Sequence, residues 1–120
     1  MLFNGNMQVM VNIMLSGMLK RHPKLKFCSV ESGLGWLTFM LESLDYQLTE
    51  QIGGTLSESM FETFKRHFYV CGWYEHRGML DAIRNIGPDN LLFETDFPHP
   101  TCLYPNAVEH ALKVLEPWGP

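Results

Sequence analysis

Nowhere in these 120 residues is there an apolar run long enough to cross a bilayer. The most apolar stretch, 7–19, is interrupted by Gln8, Asn12, Ser16 and Gly17 and follows no basic residue. It therefore reads as a buried helix, not as a span or a secretion signal. Surplus basic charge is missing too. The formal net charge is −4, so electrostatics give no reason to expect nucleic acid or an anionic membrane as a partner. Cysteine is scarce: Cys28, Cys71 and Cys102 are odd in number, widely spaced and free of any Cys-x-x-Cys pair, which argues against a disulfide framework. Two of them fall in strand-like apolar runs, where a free thiol behaves as a small hydrophobe, and a reduced, cytoplasmic setting is expected. The five histidines form no His-x-His and no His-Glu-x-x-His pair. Ser29 and Ser32 sit in no Gly-x-Ser-x-Gly elbow, and no glycine-rich loop is built to cradle phosphate.

What is present is ordinary for a globular protein. Hydrophobic residues make up 46% and charged residues 18%. A chain of this length has room for one modest domain that buries roughly 65% of its unfolded surface. The eight methionines suit core filling, since thioethers adapt to irregular gaps. Lys20, Arg21, Lys24 and Lys26 bracket a helix end, where cations offset exposed carbonyls.

Periodicity organises the rest. Met7, Met10, Met14 and Met18, with Val11 and Leu15, predict a helix over 6–21, with Asn6 as N-cap and Pro23 as the stop. A strand follows at 26–31, then a helix at 34–46, and a loop at 48–55 that carries Gly53 and Gly54. Ser59 and Glu62 have capping-box spacing ahead of a short helix. A strand is expected at 68–71, a helix at 75–86 stopped by Gly87-Pro88, a strand at 90–95 and a last helix at 105–115. Strands alternating with helices imply a parallel sheet joined by right-handed crossovers.

In parallel α/β folds, ligands gather at the carboxyl ends of strands. That rule selects Glu31 with Ser32, then Gly72-Trp73-Tyr74, then Asp96 with His99. Asp96 follows the apolar Leu91, Leu92 and Phe93 and precedes Pro98 and Pro100, which restrict the backbone beside it. It serves either as a catalytic carboxylate or as a cap of the next turn. Glu94 shares its strand face, as a buried supporting group or as the partner of a cation. Glu31 is a site carboxylate, a cap or a salt-bridge partner. Of the histidines, only His99 lies on a strand-end loop; His76 starts a helix, and His22, His67 and His110 read as surface or helix-flank residues.

Two segments, 23–33 (PKLKFCSVESG) and 92–100 (LFETDFPHP), resemble the amidohydrolase-related family that includes aminocarboxymuconate-semialdehyde decarboxylase and related aromatic-acid decarboxylases. The second is the more specific, because the family's last barrel strand ends in a similar Asp-aromatic-Pro. The resemblance covers nearly the whole chain. It implies a metal-dependent (β/α)8 barrel carrying out hydrolysis or non-oxidative decarboxylation of a small carboxylate or aromatic substrate.

By that resemblance Asp96 is the last-strand aspartate, which binds the metal or activates its water. His99 is a further catalytic candidate beside it, and Glu31 stands where many members place a sixth-strand histidine. The family's first-strand His-x-His and fifth-strand His have no counterpart here. Zinc is the expected ion and manganese the other choice, since carboxylates ligate both. An eight-unit barrel takes about 250 residues. The expectation is therefore that 1–120 forms a partial barrel domain, its sixth to eighth strands with the preceding helix, in which a metal could be absent. Open strand edges would then favour self-association. The alternative is a non-catalytic α/β fragment that joins a partner through those edges.

Overall fold

A computed structural model describes residues 2–54 and 56–119. Its elements run α1 (Leu2–Leu15), α2 (Met18–Arg21), β1 (Phe27–Ser29), α3 (Leu37–Ile52), α4 (Met60–His67), β2 (Phe68–Gly72), α5 (Arg77–Ile86), β3 (Leu91–Phe93), α6 (Ala107–Leu115) and a 3-10 turn, Glu116–Trp118. The three strands form one sheet in the order β1-β2-β3, parallel throughout, as the alternation with helices requires.

Several boundaries differ from the sequence reading. The expected helix 6–21 is two helices, because Gly17 turns left-handed at φ 72. Beside it, the Ser16 hydroxyl donates to Ile13 O at 2.9 Å and accepts the Met18 N–H at 3.1 Å. Asn6 does not cap α1 but lies inside it, and its amide is used elsewhere. The loop expected at 48–55 is largely helix: α3 continues to Ile52, since Leu48, Glu50 and Gln51 are sound helix formers and nothing interrupts them before Gly53. That glycine, at φ 68, sends its N–H back to Thr49 O at 3.0 Å. The Ser59 cap of α4 is as expected, its hydroxyl accepting the Glu62 N–H at 3.1 Å.

Strand alternation divides the sheet into two faces. Register pairs Phe27 with Phe68, Ser29 with Val70, and Val70 with Leu91, so these side chains share the face that the helices cover. Leu34, Leu37, Leu41, Phe64, Phe68 and Val70 are almost wholly buried there. Burying a side chain of this size contributes roughly 1.5–3 kcal/mol, so this layer dominates the stability. Met10, Met14, Met40 and Met79 fill the same core, the role that their number suggests. The opposite face carries Cys28, Val30, Tyr69, Cys71 and Leu92, and it is mostly uncovered: Val30 is 46% and Leu92 42% exposed. Cys28 is exposed for this reason, against the expectation of a buried strand thiol. The radius of gyration, 15.4 Å, exceeds the about 13.6 Å of a compact domain of this length, as a sheet packed on one face alone would produce.

Polar side chains pin the strand entries. Asn90 donates from Nδ2 to Lys65 O at 2.9 Å and to Phe68 O at 2.8 Å, tying the start of β3 to the α4–β2 junction. His67, read from sequence as a flank residue, is buried and bonds Leu25 O through Nδ1 at 2.9 Å, which requires the Nδ1–H tautomer. His110 is likewise less exposed than expected, with Nε2 buried and unpartnered among the described residues.

Candidate metal centre at the strand ends

The carboxyl ends of the strands converge on one cleft of about 520 Å³, lined by Phe3, Glu31, Ser32, Trp73, Tyr74, Asp96, His99 and Thr101. Within it, one donor atom each from Glu31, Asp96 and His99 lies within 4.8 Å of the other two. Glu31 follows β1 and Asp96 follows β3, so the site is assembled across the whole sheet. Both stand in the left-handed region, Glu31 at φ 56 and Asp96 at φ 58. That region costs an L-residue roughly 1–2 kcal/mol, least for Asp and Asn, and persists only where neighbours hold it.

Asp96 is held by its own loop. Thr101 donates its hydroxyl to Oδ2 at 2.6 Å, His99 Nδ1 meets Oδ1 at 2.7 Å, and the His99 N–H reaches Asp96 O at 2.9 Å. The Asp96 side chain is only 4% exposed, whereas that of His99 is 57% exposed. Two hydrogen bonds, first from Thr101 and then from His99, keep the Asp96 carboxyl below its usual range. The same pairing raises His99, through the bond to Asp96 first, then the charge of Asp96 and that of Glu31.

Glu94 lies beneath the cluster. Its Oε1 accepts the Glu31 N–H at 2.9 Å. Burial pushes its carboxyl up, the Glu31 N–H opposes this, and the charges of Asp96, Glu31 and Glu75 add to the rise. Sequence reasoning missed the rest of the support. Asn6 donates from Nδ2 to Ser29 Oγ at 3.2 Å, to Val30 O at 3.1 Å and to Ser32 Oγ at 2.6 Å, lashing α1 to the end of β1. Glu75 accepts the Leu34 N–H at 2.7 Å through Oε1 and the Trp73 N–H at 3.2 Å through Oε2, joining the loops after β1 and β2. Gly33 makes room for it: a Cβ there would fall 2.1 Å from Glu75 Oε1. Only Thr101 carried a local signal, a hydroxyl five residues after Asp96 on the same loop. Trp73 and Tyr74 stack edge-on, with centroids 4.6 Å apart, and form one wall of the cleft. His76 contributes nothing to it and stands at the start of α5.

The donor set fits a divalent metal. Two carboxylates and an imidazole suit zinc or manganese, and their spacing allows one ion to reach all three. Barrel enzymes place their ligands in the same way, at the carboxyl edge of a parallel sheet. The chain belongs to the amidohydrolase family, whose family model matches residues 3–120. No curated protein matches the sequence. Among solved structures, it is similar to an amidohydrolase from Mycobacterium avium subsp. paratuberculosis K-10, with TM-score 0.76 and 23% identity, over 92% of this chain and 28% of that one. It is also similar to 5-carboxyvanillate decarboxylase from Sphingomonas paucimobilis, with TM-score 0.59 and 25% identity, over 88% of this chain and 38% of that one. The chain thus spans well under half the length of either. No helix among the described residues is long and apolar enough to cross a membrane.

Proposed function

We propose that this chain supplies the last-strand part of the active site of a metal-dependent amidohydrolase-family enzyme, one that hydrolyses or non-oxidatively decarboxylates a small organic acid. The observation that carries this reading is the convergence of Glu31, Asp96 and His99 on one point at the strand ends. In it, β1, β2 and β3 correspond to the sixth, seventh and eighth strands of the barrel. Glu31 and Asp96 hold the metal, zinc or manganese. Held there, the metal would supply Lewis-acid polarisation of a substrate oxygen.

Asp96 and His99 handle the proton. With Asp96 Oδ1 2.7 Å from His99 Nδ1, a proton passes between them without rearrangement, and Thr101 keeps Asp96 Oδ2 oriented while it does. Trp73, Tyr74 and Phe3 offer flat apolar walls for a planar or aromatic carboxylate substrate. Three free thiols suit a reducing, cytoplasmic setting.

Zinc titration of the chelator-stripped chain tests the reading. Binding is expected at one site, weak because Glu31 and Asp96 alone leave the coordination sphere incomplete, and reduced at least about tenfold in Asp96→Asn. Unchanged binding in an Asp96→Asn/Glu31→Gln double variant sinks it. A second reading, a non-catalytic fragment that associates through its sheet, is favoured by one feature, the exposed Val30 and Leu92 on the face the helices leave open.

A further inference from the structure

Glu94 reaches the site without joining the donor cluster. Its backbone N–H donates to Gly72 O at 3.1 Å, so the β2–β3 ladder continues one residue past β3. Its side chain belongs to the open face, in series with Leu92, the residue paired with Cys71. From there Oε1 meets the Glu31 N–H at 2.9 Å. β1 and β3 are not neighbours in the sheet, so this bond spans the strand between them.

Glu31 has a backbone conformation that a glutamate does not adopt unaided. The single peptide unit that precedes it, Val30–Glu31, is held at both ends. Glu94 takes its N–H, while Asn6 donates to the preceding carbonyl, Val30 O, at 3.1 Å. Loss of Glu94 therefore loosens Glu31 while Asn6 keeps the turn attached to α1.

We infer that Glu94 is a positioning residue: by accepting the Glu31 N–H it holds the left-handed turn that directs the Glu31 carboxylate toward Asp96 and His99, and takes no place on the metal itself. This rests on the reading of Glu31 and Asp96 as metal donors with His99 beside them. An accepted N–H bond needs an oxygen lone pair and not a charge, so a carboxamide serves as well as a carboxylate. A metal ligand at that position would need the charge.

The test uses the 15N-labelled chain with zinc as the probe, comparing Glu94→Gln, Glu94→Ala and Glu31→Gln with the parent. Two readouts are followed, zinc affinity by calorimetry and exchange of the Glu31 amide in the metal-free chain. Glu94→Ala is expected to lose about tenfold or more in zinc affinity, as supporting partners of metal ligands commonly do, and to expose the Glu31 amide to faster exchange. Glu94→Gln is expected to restore most of both. Equal loss of affinity in Glu94→Gln and Glu94→Ala overturns the inference, because charge then matters and not the accepted bond. So does a Glu94→Ala variant that binds zinc like the parent while Glu31→Gln does not. If Glu31→Gln itself leaves zinc binding unchanged, the metal reading of Glu31 fails. The amide then decides alone: faster exchange in Glu94→Ala upholds the positioning of the turn, and unchanged exchange ends it.

Discussion

Glu31 and Asp96 are the two non-glycine residues with positive φ among those described, and they stand at the ends of the two outer strands with donor atoms within 4.8 Å of each other. Strained backbone at both members of a pair, in a cleft, is where a functional site is expected.

Asp96 separates a catalytic from a capping role. In the complete enzyme, Asp96→Asn is expected to lower turnover by at least about a hundredfold with the thermal midpoint nearly unchanged, because the amide keeps shape but not basicity. Glu94→Gln should cost less activity, since its oxygen still accepts the Glu31 N–H. Near-normal turnover in Asp96→Asn, with stability lost instead, would return Asp96 to the role of a turn cap.

The open sheet face predicts self-association of the chain. Val30 and Leu92 are exposed on the face the helices leave open, next to the outer edges of β1 and β3. Sedimentation at tens of micromolar should give oligomers, and a Val30→Lys/Leu92→Lys variant should shift the distribution toward monomer. A parent chain that sediments as a single monomeric boundary contradicts this.

Helix packing makes two glycines opposite in character. A Cβ at Gly78 would lie 2.8 Å from Gly35 Cα, a backbone atom that cannot swing aside. Gly78→Ala should therefore destabilise by about 1–3 kcal/mol. A Cβ at Gly5, within α1, meets nothing within 4 Å, so Gly5→Ala should stabilise by roughly 0.5–1 kcal/mol. Thermal melts of both variants check the sign of each.

Thiol labelling reads the sheet faces. Burial first, then the bond and charge of Cys28 at 3.8 Å, push the Cys71 thiol up to about 12. At pH 8 that leaves about one thiolate in ten thousand, and the thiolate is the nucleophile. Iodoacetamide followed by peptide mass spectrometry should find the exposed Cys28 modified well before Cys71. Equal labelling in the folded chain would mean that Cys71 is not enclosed.

Much of this was legible in the residues. Alternating apolar strands and helices dictated a parallel sheet, because short-range periodicity decides element type and parallel neighbours need a long return. Asp96 was placed at a strand end by the apolar run before it, and His99, three residues on, was within local reach. Ser59 announced the cap of α4 for the same reason.

What escaped depends on contacts between distant parts of the chain. Nothing near Asn6 says that its amide serves Val30 and Ser32, and nothing near Glu75 says that it bridges Leu34 and Trp73. The helical run past Tyr46 was hidden by polar residues whose propensity outlasts their periodicity. Local patterns dictated the order and kind of elements and set Asp96 at a strand end. That Glu31 meets it emerges from tertiary contacts, because the two residues lie 65 positions apart, on the outer strands of the sheet, and Glu94 bridges β3 to β1 past the strand between them.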